Sequence, residues 1–396
     1  MKLVLLMLSV LTALGAWEMA RHVLHRRRIP IRVHVNGSRG KSSVARLIAA
    51  GLRAGGLRVV AKTTGSAAAV IHVDGSETPI RRRGGPNIRE QLGVIRQATR
   101  ENCEALVIEC MAVRPDLQYT CEHGIVRATH GVITNVRPDH LEVMGPTLDD
   151  VAASLAGTVP REAHLFTADE NYGAFFAARA RRDRSRHTQC TPAGITAADL
   201  SGFGYIEFPE NVNLALAVCA EVGIPRETAL AGMWDVTPDV GALTRWRFAE
   251  ACPRTDPPSI KRLEFVNGFA ANDPVSYIRI WRHLGLVEDP ERVVLVMNIR
   301  GDRQRRSKDL APLFGKQMPA ARYVLIGEQT AVFRDMLRRQ GLPADLITDL
   351  SHLAASDLWT ALVELAPQDC TLVGVGNIGG IGNQLLTHLR TKDTAA

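Results

Sequence analysis

Two hydrophobic spacings alternate along the chain. Short β-branched runs suited to strands give way to stretches with apolar residues at helical intervals. Residues 31–35 predict a strand, a glycine-rich turn follows, and residues 43–54 predict a helix. Residues 105–109, 131–136 and 164–167 predict further strands. After a Pro-, Asp- and Thr-rich stretch at 252–258, the alternation resumes. Strands are expected there at 261–266, 293–297, 323–326 and 371–375, with helices at 274–284, 330–340 and 353–365. This is the rhythm of α/β domains with parallel sheets. The division expected is a membrane anchor over 1–25, a central domain over 26–255 and a smaller Rossmann-like domain over 256–396, with a frayed tail from 391.

The N-terminus breaks the pattern. Residues 3–17 are almost wholly apolar, and Arg21, Arg26, Arg27 and Arg28 follow. The run is short against the roughly 20 residues that span a bilayer comfortably. One reading is an anchor with the body on the cytoplasmic side; the other is a cleaved signal peptide with Ala13 and Gly15 near its end. Basic residues behind the apolar run favour the anchor.

Composition adds limits. The net charge of +7 fits nucleic acid, anionic lipid or an acidic substrate, and does not choose among them. The seven cysteines are odd in number and form no C-x-x-C pair, which speaks for buried reduced thiols rather than disulfides or zinc.

The chemistry starts at Val35-Asn36-Gly37-Ser38-Arg39-Gly40-Lys41-Ser42-Ser43, between a predicted strand and a predicted helix. Glycines let the N–H groups of residues 37–43 close on phosphate, and the helix start adds positive potential. Lys41 is expected at the β- and γ-phosphates of ATP and Ser42 on Mg2+. Val35 stands where a longer phosphate loop has its first glycine, so Gly37 takes that place in a short variant.

This short loop resembles the G-T-x-G-K-T/S loop of the Mur ligase superfamily, and further stretches resemble it in the same order. Glu109 ends a strand where the superfamily has a magnesium-binding Glu. Residues 134–142, T-N-V-R-P-D-H-L-E, resemble its T-N-x-x-x-D-H-L-D motif, which makes His140 a metal ligand and leaves open whether Asp139 or Glu142 matters. Asn211 matches one position of the adenine-binding H-N-x-x-N segment, with Glu210 in place of the His and Leu214 in place of the second Asn. Asn272 matches the D-x-Y-A-H-N-P-x-S segment with one extra residue before Pro274, and Arg300, Asp302 and Arg303 match the G-G-D-R segment. The resemblance gives Arg300 and Arg303 the task of offsetting charge on phosphate or carboxylate; a solvated loop of charges is the other reading. The glycine-rich residues 374–382 read as a tight turn rather than a dinucleotide site.

Two departures narrow the resemblance. No UDP-sugar-binding domain precedes Gly37, and no lysine occurs between Lys62 and Lys261 to carry the carbamate that holds a second metal in many members. With the hydrophobic N-terminus, these features resemble the ligase-subunit family of poly-γ-glutamate synthases. That implies a P-loop α/β fold, ATP and Mg2+, an acyl-phosphate mechanism, and glutamate and poly-γ-glutamate as substrates. It also implies small membrane subunits as partners, the cytoplasmic membrane as location, an oligomer, and no nucleic acid. The loop Arg81-Arg82-Arg83-Gly84-Gly85-Pro86-Asn87-Ile88-Arg89 is dense in arginine. Arg81, Arg82, Arg83 and Arg89 suit a polyanionic acceptor, with phospholipid headgroups as the rival. The alternatives for the whole are a folylpolyglutamate-type ligase and a membrane-tethered P-loop ATPase or kinase of a polymer export system.

Overall fold

A computed structural model describes the chain except residues 66, 67, 83, 240, 253–258, 272 and 394–396. It divides into two compact units, Met1–Asp239 and Val240–Ala396. The first opens with a long helix, α1 (Lys2–Arg27), then β1 (Ile31–Asn36), α2 (Lys41–Ala54), β2 (Val59–Thr63), β3 (Ala69–Ile71), β4 (Glu77–Pro79), α3 (Glu90–Arg100), β5 (Ala105–Glu109), β6 (His130–Ile133), β7 (His164–Thr167) and β8 (Arg186–Gln189). Its sheet runs β4-β3-β2-β5-β1-β6-β7-β8. Only β3 and β4 are antiparallel to their neighbours; the rest pair in parallel.

Strand β1 sits between β5 and β6 because its apolar positions must be covered on both faces. Val33 and Val35 are fully buried on one face, and His34 and Asn36 on the other. The connection from β1 runs through α2 to β2 on one side and the connection from β5 runs to β6 on the other, so the C-terminal ends of β1 and β5 lie at the switch point where open parallel sheets hold ligands. Helix α2 follows at once. It is buried from Val44 to Leu52, against β2 and the helices Pro209–Glu221 and Arg226–Trp234. Gly51 is required for that approach, since a Cβ there would stand 2.7 Å from Cys219 Sγ.

Helix α1 has two characters. Its apolar residues from Leu3 to Met19 stand exposed, whereas His22 and Arg26 are buried against the first unit. It is long and apolar enough to cross a membrane, at 26 residues.

The second unit holds β9 (Thr244–Cys252), β10 (Ser259–Asn267), β11 (Val293–Ile299), β12 (Arg322–Gly327), β13 (Ile347–Asp349) and β14 (Cys370–Gly376) in the order β13-β12-β11-β14-β10-β9. Trp246, Phe248, Phe265, Phe269, Trp359 and Leu362 pack one face. Buried Lys261 donates to the carbonyls of Val363, Glu364 and Ala366 at the end of the helix Ala355–Leu365, where cations offset the helix dipole. The expected division at 252–258 falls largely on residues outside the described ones. Strand β9, which that division assigns to the central domain, pairs antiparallel with β10 in the second sheet, and the units part at Asp239 instead. The physical reason is that β9 carries Trp246 and Phe248 into the second core.

One buried pair ties β1 to the turn Thr120–Val126. His34 Nδ1 lies 2.8 Å from Glu122 Oε2, both side chains closed to solvent. Burial opposes charge on the imidazole, but Cys110 and the Glu122 carboxylate outweigh it and lift the pKa to about 9. A folded pKa above the ordinary value stabilises fully below about pH 6.5 and loses that contribution as pH rises through about 9. Cys110 is shifted in the opposite direction, its pKa held well below the ordinary thiol value by hydrogen bonds from Cys121 and His34, so its linked contribution opposes that of His34 over this range. His34→Gln should therefore change the pH dependence of urea unfolding between about pH 6.5 and 9; an unchanged dependence would remove His34 as a contributor.

Candidate active site

The turn from β1 into α2 is shaped by what it touches. Gly37 (φ 130°) and Gly40 (φ 81°) hold backbone conformations that side-chain-bearing residues rarely adopt. A Cβ on Gly37 would stand 2.1 Å from Thr134 Oγ1, and one on Gly40 would stand 2.9 Å from Asn211 Oδ1. The loop is gripped by the segment after β6. Ser38 N donates to Asn135 O at 2.9 Å, Arg39 N to Asn135 Oδ1 at 3.0 Å, and Thr134 Oγ1 and Asn135 Nδ2 both donate to Arg39 O. Ser38 Oγ accepts from Arg137 N and donates to Arg137 O. Lys41 Nζ folds back onto the carbonyls of Gly37 (2.6 Å) and Ser38 (3.1 Å), so its ammonium sits over the loop. Ser43 lies two residues further into α2.

Two of the expected metal ligands meet. Ser42 Oγ donates to Glu109 Oε2 at 2.8 Å, and that carboxylate, almost fully buried, also accepts from Thr64 N at 2.6 Å. A hydroxyl and a carboxylate at the start of a phosphate loop's helix are hard oxygen donors that fit Mg2+. His140 stands apart from this pair. It has a left-handed backbone, its ring is half exposed, and its polar partners are Glu142 (3.4 Å) and Asp139 (3.9 Å). Asp139 in turn pairs with Arg39 at 3.3 Å. Among the described residues, no three His, Cys, Asp or Glu side chains gather as a metal-binding group.

Asn211 does not open its helix; Pro209 does, from an N-cap at Phe208. The buried Asn211 amide donates to Glu207 Oε1 at 2.7 Å. Burial pushes the Glu207 pKa up, and hydrogen bonds from Asn211, Tyr205 and Ser43 only partly offset this. Asn211 thus packs against Gly40 while held by a carboxyl that the residue pattern did not single out.

The basic loop is partly neutralised. Arg82 grips Glu90 through two nitrogens, at 2.7 and 3.1 Å, and Arg89 pairs with Glu18 of α1 at 3.3 Å. Arg81 is exposed, and Arg83 lies outside the described residues. Behind Glu90 sits Lys62, fully buried, 3.7 Å from Glu90 Oε2 and 3.3 Å from Met111 Sδ. Burial drives the Lys62 pKa down while Glu90 and Glu109 pull it back. The ammonium thereby brings positive charge near the Ser42–Glu109 pair, and sequence reasoning noted Lys62 only as the last lysine before a long gap.

The second unit gathers its own polar edge. Asn298, buried at the end of β11, donates to Asn377 O and, at 2.8 Å, to Gly379 O. Arg306 donates to Asn377 Oδ1 at 2.8 Å. The turn expected at 374–382 is therefore clamped from β11, and a Cβ on Gly379 would stand 2.3 Å from an Arg300 nitrogen. Arg300 pairs with Asp302 at 2.9 Å, and Arg303 approaches the same carboxylate at 3.9 Å; all three side chains are exposed. Asn272 lies outside the described residues. Its neighbour Asp273 caps the helix Pro274–His283 by accepting from Ser276 N at 2.9 Å.

Comparison with known proteins sets this geometry in context. The Mur ligase middle domain model matches residues 35–233, and the model of the poly-gamma-glutamate synthase CapB C-terminal domain matches residues 254–392. A Bacillus subtilis (strain 168) protein named PGA synthase CapB is 36% identical over 98% of both chains. The capsule biosynthesis protein CapB of Bacillus anthracis is 37% identical over 94% of this chain and 79% of its own. Among solved structures, E. coli FolC in complex with ADP superposes with a TM-score of 0.68 at 12% identity, over 96% of this chain and 93% of that one. The Yersinia pestis folylpolyglutamate synthase/dihydrofolate synthase with AMPPNP and Mn ion gives 0.64 at 12% identity, over 93% and 92%. MurF from Acinetobacter baumannii gives 0.64 at 13% identity, over 97% of this chain and 79% of that one. These neighbours share the fold. With both family models matched in order and one relative aligned end to end, the chain belongs to the CapB family of poly-gamma-glutamate synthases, built on a Mur ligase core, and is an ATP-dependent amide ligase.

Proposed function

We propose that the enzyme joins glutamate residues through γ-amide bonds, with ATP as phosphoryl donor and Mg2+ as its metal, while α1 tethers it to the cytoplasmic membrane beside small partner subunits in an oligomeric assembly. The observation that carries this reading is the similarity to two CapB proteins along nearly the whole chain. Likeness to folylpolyglutamate synthases lies at 12–15% identity and speaks for fold alone.

In the proposed reaction an oxygen of a glutamyl γ-carboxylate takes the terminal phosphoryl group, giving an acyl phosphate and ADP. The amine of the next glutamate then attacks the acyl carbon; phosphate leaves and the amine's proton is lost to solvent. The backbone N–H groups of residues 40–43 serve the ATP phosphates, Gly37, Ser38 and Arg39 shape the loop through their contacts with residues 134–137, and Lys41 moves from the Gly37 and Ser38 carbonyls to the terminal phosphate. Ser42 and Glu109 would hold Mg2+, and His140, which stands with Asp139 and Glu142, is the further ligand that the motif resemblance implies. When bound, the metal supplies the counter-charge that lets an anionic carboxylate approach an anionic phosphate. Asn211 supports the adenine side of the loop. Asn272, Asp302, Arg300 and Arg303 keep the roles that the motif resemblance gives them, on the nucleotide and the charged reactants. Among the described residues of this loop, Arg81 has no carboxylate partner and serves acceptor polymer, whereas Arg82 and Arg89 act by fixing the loop through Glu90 and Glu18.

Membranes carrying the protein should release phosphate from ATP and Mg2+ in response to glutamate and form polymer. Lys41→Ala should lower the rate at least about 100-fold. Release indifferent to every amino acid would instead support a P-loop ATPase, and acceptance of reduced folate a folylpolyglutamate-type ligase. A second comparison separates loop roles. Arg81→Ala should raise KM for polymer acceptor several-fold with kcat intact, and unchanged kinetics would remove this loop from substrate binding. Arg82→Ala should also lower thermal stability, because Glu90 loses its two-nitrogen partner.

A further inference from the structure

The base of α1 is docked, and the docking gathers arginines. His22 Nε2 lies 2.9 Å from Ile125 O, and Arg26 reaches the carbonyls of Gly124 and Ile125. Thr99 of α3 donates to His25 O at 3.3 Å. Helix α1 therefore leaves the first unit in a fixed direction. The whole helix rises about 39 Å over its 26 residues, enough for a bilayer plus the docked turns.

Around that base the charges do not balance. Arg21 and Arg28 on one side, and Arg96 and Arg100 of α3 on the other, all lie within electrostatic reach of the His25 ring. Arg27 lies beside them in sequence. All five are exposed. The two helices carry only Glu18 and Glu90 as carboxylates, taken by Arg89 and Arg82, and Glu101 just past α3 is taken by His72. The five arginines have no carboxylate partner among the described residues. Arg21 also stacks its guanidinium over Trp17 at 4.5 Å, where the exposed apolar stretch ends. An aromatic ring beside a cation at that level is the side-chain pattern of a membrane–water interface.

We propose that Arg21, Arg27, Arg28, Arg96 and Arg100 form a collar that binds the headgroups of anionic phospholipids, so that α3 rests on the inner leaflet and orients the ligase body. The proposal rests on the tethering role of α1 given above. Guanidinium forks suit phosphate oxygens, and a surface of anionic lipid attracts each such residue at short range. Two of the five arginines lie on α3, outside the apolar helix, so their contribution can be removed without touching insertion.

The test is flotation of the full-length protein with vesicles of phosphatidylcholine alone or mixed with phosphatidylglycerol, across a salt series, for wild type and R96Q/R100Q. Both exposed substitutions should leave the thermal midpoint unchanged. The expected result is that wild type floats with both vesicles, with partitioning onto the anionic ones greater by roughly an order of magnitude at low salt. That gain should shrink several-fold in R96Q/R100Q and disappear at high salt. Equal flotation with both vesicles, or a gain untouched by R96Q/R100Q, would overturn the collar and leave the tether standing. Failure to float with either vesicle would overturn the tether and the collar together.

Discussion

The hydrogen bonds that tie Ser38 and Arg39 to residues 134–137 hold the rest of the first unit's site in place. A phosphate loop needs its N–H groups aimed inward, and a chain of glycines alone would not keep them there. Here the outer side of the loop is fixed by its neighbour: Thr134 and Asn135 satisfy the Arg39 carbonyl, Asn135 takes two loop N–H groups, and Ser38 closes on Arg137. The same contact explains why Gly37 has no room for a Cβ and why β6 stops at Ile133, where Thr134 N turns to Asn36 O. Preorganised donors of this kind lower the cost of stabilising charge as it develops.

Charge in the site is arranged in layers. Glu109 is buried beside Ser42, Lys62 is buried nearby, Glu90 stands behind Lys62, and Arg82 closes the series at the surface. A buried lysine survives in such a place because carboxylates surround it, and removing one partner would leave a charge unmatched in low dielectric. The basic loop is thus wired to the interior through one glutamate and to α1 through another. Among the described residues, Arg21, Arg27, Arg28, Arg96 and Arg100 at the base of α1 have no carboxylate partner.

Much of the fold was legible in the residue pattern, and the reasons for the rest are physical. Buried parallel strands read as apolar runs, so β1, β5, β7 and β10 to β12 stand close to their expected positions, as does β14. Strands β3 and β4 escaped because they are three residues each and β4 is exposed. Strand β9 alternates Arg with Trp and Phe, a half-buried pattern hidden next to a presumed linker. At the site, the loop and the Ser42–Glu109 meeting followed from motif order. Lys62, Glu207 and Asn298 did not, since each matters through burial and partners distant in sequence. Thr134 and Asn135 lay inside a recognised motif, yet their weight is in side-chain clamps that spacing does not reveal.

The central claim is that a glutamyl carboxylate is activated as an acyl phosphate. The direct measurement is to supply glutamate and polymer acceptor with heavy oxygen in their carboxylates and weigh the phosphate released from ATP. The account predicts one labelled oxygen in inorganic phosphate for each amide bond formed, because the carboxylate oxygen that attacks phosphorus leaves with the phosphate. Unlabelled phosphate accompanying bond formation, or label appearing in AMP, would contradict it.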